Sequence, residues 1–340
     1  MTLPVALTMG EPAGIGPDIT LKVWSERHQN RVSPFVMLAD IGVMEARAKL
    51  LGIEVPICAI DQPAEAWDCF ESGLPVIPVP CPAVTPGTAS GSTAAAVVQA
   101  IEQAVDLTLC GKTTAVVTNP IAKSVLAREG FSHPGHTEFL AELGAQDGDV
   151  PLPVMMLAAP ALRVVPVTTH IALKDVPGAL TKRLIKRISR ITATGLQRYF
   201  AIRQPRLLFA GLNPHAGEDG LMGEEDDLII RPAVEELVTE GINAIGPVSA
   251  DTMFHEDAQA HYDAAICMYH DQALIPVKTL AFDNAVNVTL GLPFLRTSPD
   301  HGTAFSLAGT GKAREASLVA ALQLASSQGA AALAAASKGD

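Results

Sequence analysis

The chain has 340 residues, of which 48% are hydrophobic and 18% charged, with a formal net charge of −12. That size predicts one large domain or two closely joined ones, and the apolar content excludes a disordered chain in favour of a compact, soluble, enzyme-like protein. The acidic balance excludes a nucleic-acid binder, because no stripe of lysine and arginine is available to displace phosphate counterions.

The short basic cluster Lys182, Arg183, Lys186, Arg187 and Arg190 has helical spacing and reads as a solvated face. Five cysteines form no CxxC pair, as expected of structural thiols in a reducing compartment. The opening MTLPVALTMGEPAG has no basic leader, and no apolar run approaches the roughly 20 residues that cross a bilayer. The expectation is a cytoplasmic protein with no membrane partner.

In chain order, strands are expected at Pro4–Met9, Phe35–Ala39, Thr114–Thr118, Val154–Leu157, Arg163–Thr168, Arg206–Ala210 and Ala264–Tyr269. Most are continuously apolar rather than alternating, which marks strands buried on both faces of a parallel sheet. Helices are expected at Pro17–Ser25, Gly42–Leu51, Thr93–Cys110, Leu180–Phe200, Leu228–Glu240 and Ala313–Leu324. Strand and helix in repeated alternation predict an α/β fold. The proline-rich segment 74–87 reads as an extended surface excursion. The last stretch, SSQGAAALAAASKGD, reads as a frayed helix and tail.

Ligands of open α/β sheets gather outside the carboxyl ends of the strands. The first strand is followed by TMGEPAGIGPDIT, which is glycine-rich but matches neither the dinucleotide nor the P-loop fingerprint. Asn119 and Lys123 open a helix after Thr114–Thr118. Three later strands each release a histidine at one sheet edge: His170, His215 and His270. Singly, each is more often a hydrogen-bonded structural residue. Together they suit a metal site assembled from distant loops, with three protein ligands and an open position. Imidazole suits zinc, cobalt, nickel and iron alike, so the metal stays open. Asp271 and Asp251 are available to orient ligands or accept a proton; as loop carboxylates they would equally sit in water.

His136 and Thr137 stand at the start of an amphipathic helix in FSHPGHTEFLAEL. Thr137 could simply cap that helix, or the two could face an anion at its N-terminus. Lys278, Asn287 and Arg296 fall in an irregular, polar stretch of the kind that carries binding residues. In a chain this acidic, a phosphorylated substrate would need such local cations.

The segments LTMGEPAGIGP, VVTNPIAK, HPGHTEFLAEL, GLNPHAGEDGLMGEED, YHDQALIPVK and RTSPDHGTA resemble the 4-hydroxythreonine-4-phosphate dehydrogenase family of vitamin B6 biosynthesis, in order, from about residue 3 to about 325. The resemblance implies two α/β/α lobes similar to isocitrate and isopropylmalate dehydrogenases, with the active site in the cleft. The first lobe would hold 1–130 and 280–340, and the second 131–279, with the metal histidines and the interface of an obligate homodimer. It further implies a divalent metal on His170, His215 and His270, with ligands shared across that interface, and zinc, magnesium or cobalt as the ion. Substrate contacts would come from His136, Thr137, Lys278, Asn287 and Arg296. Glu11 stands where the family commonly has Asp, and Ser306 where an acidic residue is common.

The implied reaction is NAD(P)-dependent oxidation of 4-phosphohydroxy-L-threonine, with decarboxylation to 3-amino-2-oxopropyl phosphate in pyridoxine 5'-phosphate biosynthesis. Asp251 or Asp271 would support the metal or accept the proton, and no cofactor-binding residue is assigned. Within the family, 4-phospho-threonate is the rival substrate, and a remote branch acts on a cyclic dihydrodiol. A metal hydrolase would want a motif such as HExxH, which is absent. A non-catalytic metal-dependent interaction protein would leave the anion-binding set without a purpose.

Overall fold

The computed structural model describes residues 3–133 and 135–336. Its strands are β1 (Val5–Thr8), β2 (Phe35–Ala39), β3 (Ile57–Ala59), β4 (Leu74–Pro78), β5 (Val116–Thr118), β6 (Val154–Ala158), β7 (Arg163–Pro166), β8 (Arg206–Ala210), β9 (Asn243–Val248), β10 (Ala264–Cys267), β11 (Val286–Leu290) and β12 (Arg296–Pro299). The chain folds into two units, Met1–Pro153 with Leu292–Asp340, and Val154–Gly291.

The first unit carries strands in the order β3-β4-β2-β1-β5-β12, and every pairing among them is parallel. VALT and FVMLA are buried throughout, as continuous apolar runs in a covered parallel sheet should be. Behind β1 the chain turns at Gly10, where φ is +67° and an added Cβ would lie 2.5 Å from the Pro120 carbonyl oxygen, so only glycine fits. The next helix, Gly16–Ser25, takes proline in its first turn, where the missing N–H costs nothing. After β2, Asp40 caps the helix Ile41–Leu51 by accepting from Val43 N at 2.9 Å, and left-handed Gly52 ends it.

Arg47, on that helix, is 2% exposed. It pairs with fully buried Asp18 and donates to the carbonyls of Gly14 and Pro12, both at 2.9 Å. Asp18 in turn accepts from Gly309 N at 2.7 Å. One buried ion pair therefore pins the glycine-rich loop after β1.

The second unit orders its strands β11-β6-β7-β10-β8-β9. β7, β10, β8 and β9 run parallel, whereas β6 pairs antiparallel with both β11 and β7. A wholly parallel sheet was expected, and this unit departs from it: a continuous apolar run reports burial on two faces and carries no direction. The helix Lys182–Phe200 is capped by Thr181, whose hydroxyl accepts from Leu184 N at 3.1 Å, and it buries Ile185, Ile188, Leu196 and Tyr199. Gly195 permits close approach to the sheet, since a Cβ there would meet Leu290 at 2.8 Å.

The basic cluster is not simply a solvated face. Lys182 meets Glu236 at 2.7 Å, Lys186 meets Glu240 at 3.0 Å and Arg190 meets Glu240 at 2.6 Å, forming a ladder to the helix Arg231–Thr239. The facing ammonium and guanidinium groups hold Glu236 and Glu240 down near pH 2. Such exposed pairs contribute little net stability.

Several other expectations are corrected. The start of the 74–87 excursion is strand β4, buried at Leu74 and Val76 and paired to β2 and β3. The stretch read as irregular contains β11 and β12. The C-terminal helix, expected to end at Leu324, runs Ala316–Ala336, and the SKGD tail (337–340) lies outside the described residues. The boundaries of the two units also differ from those expected. Residues 131–153 group with the first unit, where the helix His136–Leu143 packs on the helix Ala94–Leu109, and 280–291 group with the second because β11 pairs β6. All five cysteines are free thiols, and among the described residues no helix is long and apolar enough to cross a membrane.

Candidate active site

In the second unit, parallel β7, β10 and β8 are neighbours. Their carboxyl ends therefore share one edge, and His170, His215 and His270 follow them there. The His170 and His270 rings lie with centroids 5.6 Å apart. His215 is exposed on its own loop, and among the described residues no three His, Cys, Asp or Glu side chains gather into a metal-holding group. One chain thus brings two of the three expected ligands together.

Each histidine has a local reason for its position. His170 and His215 adopt φ of +39° and +55°, left-handed conformations that are costly for side chains with a Cβ and that concentrate at functional sites. The His215 loop is held by buried Asp226, which accepts from Leu212 N at 2.8 Å and Asn213 N at 3.1 Å. His270 is the first residue of the helix His270–Ala281, not part of a loop. Its Nδ1 meets Asp271 Oδ1 at 2.7 Å, which leaves Nε2 as the ring nitrogen for a metal.

Two residues outside the expected set knit these loops together. Thr168 donates its hydroxyl to the Met268 carbonyl at 2.7 Å. Gln272 accepts from Met268 N at 2.6 Å and donates to the Gly211 carbonyl at 2.7 Å. Gln272 therefore bridges the strand end bearing His270 to the loop bearing His215. Its only sequence signal was its place in HDQ, one residue after Asp271. Asp251 is exposed and accepts from Ser249 Oγ at 2.5 Å. Lys278 is half-buried with Nζ 5.5 Å from the Phe282 ring, and Asn287 is half-buried on β11.

In the first unit the remaining expected residues form a separate, cationic group. Arg296 opens β12, is 5% exposed, and donates from Nε and Nη2 to Thr118 Oγ1 at 3.1 and 2.6 Å. Burial lowers its pKa to about 10, which still leaves it charged at neutral pH. His136 opens the helix His136–Leu143, is 8% exposed, and has no hydrogen-bond partner at Nε2. Desolvation first, then the charges of Arg296 and Lys123, push its pKa well below 6.5, so it stands neutral. Thr137 does not cap the helix, because Gly135 occupies the cap position. An unpartnered imidazole nitrogen beside a buried guanidinium and a helix N-terminus is suited to receive an anion.

A cavity of about 510 Å³ in the same unit is lined by Asp40, Val43, Arg47, Leu50, Cys81 and Pro86. Apolar walls with one carboxylate, at the carboxyl ends of β2 and β4, would accommodate a nucleoside-sized ligand.

Fold and site together define an α/β protein with an imidazole cluster at one sheet edge and a buried cationic pocket suited to an anion. Comparison with known proteins is consistent with this. The family model described as "Pyridoxal phosphate biosynthetic protein PdxA" matches residues 30–325. A 4-hydroxythreonine-4-phosphate dehydrogenase of Bradyrhizobium diazoefficiens is 56% identical, covering 96% of this chain and 97% of its own. One from Methylorubrum populi is 54% identical over 95% of this chain and 93% of its own. The crystal structure of a 4-hydroxythreonine-4-phosphate dehydrogenase from Klebsiella pneumoniae superposes with a TM-score of 0.86 at 36% identity, covering 95% of this chain and 98% of that one. The chain belongs to the PdxA family.

Proposed function

We propose that this protein is an NAD(P)-dependent oxidoreductase that oxidises 4-phosphohydroxy-L-threonine and decarboxylates it to 3-amino-2-oxopropyl phosphate, in pyridoxine 5'-phosphate biosynthesis. The observation that carries the reading is the 56% identity, over nearly the whole of both chains, with a relative named for this activity. The buried pocket of Arg296 and His136 supports it, since it would take an anionic group of the substrate. Thr137, Lys278 and Asn287 are proposed as further substrate contacts. Binding such remote groups would hold the reacting carbon in place for hydride transfer.

His170, His215 and His270 would hold a divalent cation, zinc before magnesium or cobalt given an all-imidazole set. The fit rests on the adjacent His170 and His270 rings and on Asp271, which fixes the His270 tautomer. Such an ion supplies Lewis-acid polarisation of the alcohol. With Asp271 committed to His270, Asp251 is the better-placed proton acceptor of the two carboxylates.

The working form is proposed to be a homodimer in the cytoplasm, with metal ligands drawn from both copies. Large apolar side chains are exposed close in sequence to each histidine: Ile171 and Leu173 beside His170, Leu221 (80% exposed) and Met222 after His215, and Ile275 and Phe282 (67% exposed) on and just after the His270 helix. Apolar residues left in water around polar ligands indicate a surface that another protein copy covers.

The decisive test is NAD(P)H formation by the purified protein with 4-phosphohydroxy-L-threonine, against 4-phospho-threonate as rival and a chelated sample as control. Turnover of the first acid, lost on chelation and restored by zinc, supports the reading. Preference for the second acid reassigns the substrate, and turnover indifferent to chelation removes the metal.

A further inference from the structure

We propose that Lys123 is an additional ligand for the phosphoryl group of the substrate, completing the pocket formed by Arg296 and His136. The inference rests on the phosphorylated substrate proposed above. Lys123 opens the helix Lys123–Arg128, which follows β5. Its ammonium reaches across to the N-terminus of the helix His136–Leu143, and Gly135 is what lets it do so. A Cβ built on Gly135 would lie 3.1 Å from Lys123 Nζ and 2.8 Å from Glu138 Oε2. Gly135 has φ of −168°, an extended backbone open to any residue. It is glycine for space, and the space is filled by a cation.

A cation is the wrong charge for that place. The N-terminal end of a helix carries a positive partial charge and favours anions, typically by about 0.3–1 kcal/mol. Arg296 adds a second, buried positive charge close enough to act on His136 together with Lys123. Among the described residues no carboxylate forms an ion pair with Lys123. Two cations, a helix N-terminus and a nine-tenths-buried imidazole without a partner at Nε2 thus converge with no anion among them. A dianionic phosphoryl group resolves that imbalance in one step. Its oxygens would accept from the ammonium, the guanidinium, the imidazole and the free N–H groups of the helix. The competing role, a solvated lysine that only offsets Glu138, predicts no dependence of ligand affinity on Lys123.

The test is calorimetric titration of the full-length protein with inorganic phosphate, comparing wild type, Lys123→Met and Lys123→Arg, together with KM and kcat for 4-phosphohydroxy-L-threonine. Lys123 is exposed at the start of its helix, so both variants should fold. Expected is at least a tenfold weaker phosphate Kd and a matching rise in KM for Lys123→Met. Lys123→Arg should stay within about threefold of wild type, and kcat should change less than KM in both. Equal phosphate affinity in wild type and Lys123→Met overturns the assignment, as does a wild-type protein that binds no phosphate. A protein that binds phosphate in a Lys123-dependent way but fails to oxidise the phosphorylated acid leaves Lys123 in place and removes the proposed activity instead.

Discussion

Arg47 and Asp18 show how one buried pair can support a binding loop from a distance. Arg47 spans Asp18 and two loop carbonyls, with no exposed route for its charge. Asp18→Ala would strand that guanidinium in the interior, at a cost of about 3–5 kcal/mol. Urea denaturation should show the loss directly, and a change under about 1 kcal/mol would mean that the pair is relieved by solvent or by other partners. His136 makes a second prediction at this scale. Its folded pKa is depressed below the ordinary 6.5, so the unfolded chain binds a proton that the folded chain refuses. That contribution to stability is fully present above pH 6.5 and is lost as pH falls towards the folded value. The slope from this group is at most about 1.4 kcal/mol per pH unit. Stability measured against pH in His136→Asn should fall less steeply below pH 6.5 than in wild type; parallel curves would show that His136 is already protonated in the fold.

Among the elements, the links between strand ends carry the most consequence. Gln272 bonds both the Met268 strand end and the Gly211 loop through one side chain. Gln272→Leu should cost about 1–3 kcal/mol, since it leaves a buried N–H and a buried carbonyl unpaired. It should also weaken zinc binding about 10–100-fold, by releasing the loops that present His215 and His270. Zinc titration of the variant against wild type checks this, and an unchanged affinity would mean that the loops are positioned without it.

The same elements show where sequence reasoning succeeds and where it stops. Phe35–Ala39 and Arg206–Ala210 are found at their expected bounds because an uninterrupted apolar run has few other uses. β4 escaped because its two prolines, Pro75 and Pro78, are the usual marks of a surface loop. β12 escaped because RTSP has no apolar run, although every one of its residues is buried. Reading which residue types follow each strand identified His170, His215 and His270, and the structure places two of their rings side by side. Thr168, Gln272, Asp18 and Arg47 are ordinary polar residues in sequence; only their partners, 29 to 100 positions away for Arg47–Asp18, Thr168–Met268 and Gln272–Gly211, show what they do.

For the whole molecule, a net charge of −12 and a pocket of local cations pull in opposite directions. Binding an anionic substrate therefore depends on the fixed charges inside the pocket rather than on long-range attraction. The apolar residues exposed around the histidines make the second requirement, a partner copy. The central claim is that the three histidines form one metal centre drawn from two chains. Coexpression of ligand-deficient variants tests it most directly: His170→Ala, His215→Ala and His270→Ala are combined pairwise, with activity measured on each mixture. If two ligands come from one copy and one from the other, two of the three pairings restore one intact site per mixed dimer, or about a quarter of wild-type activity at random assortment. No recovery in any pairing, with each mixed dimer shown to form, would contradict the shared centre.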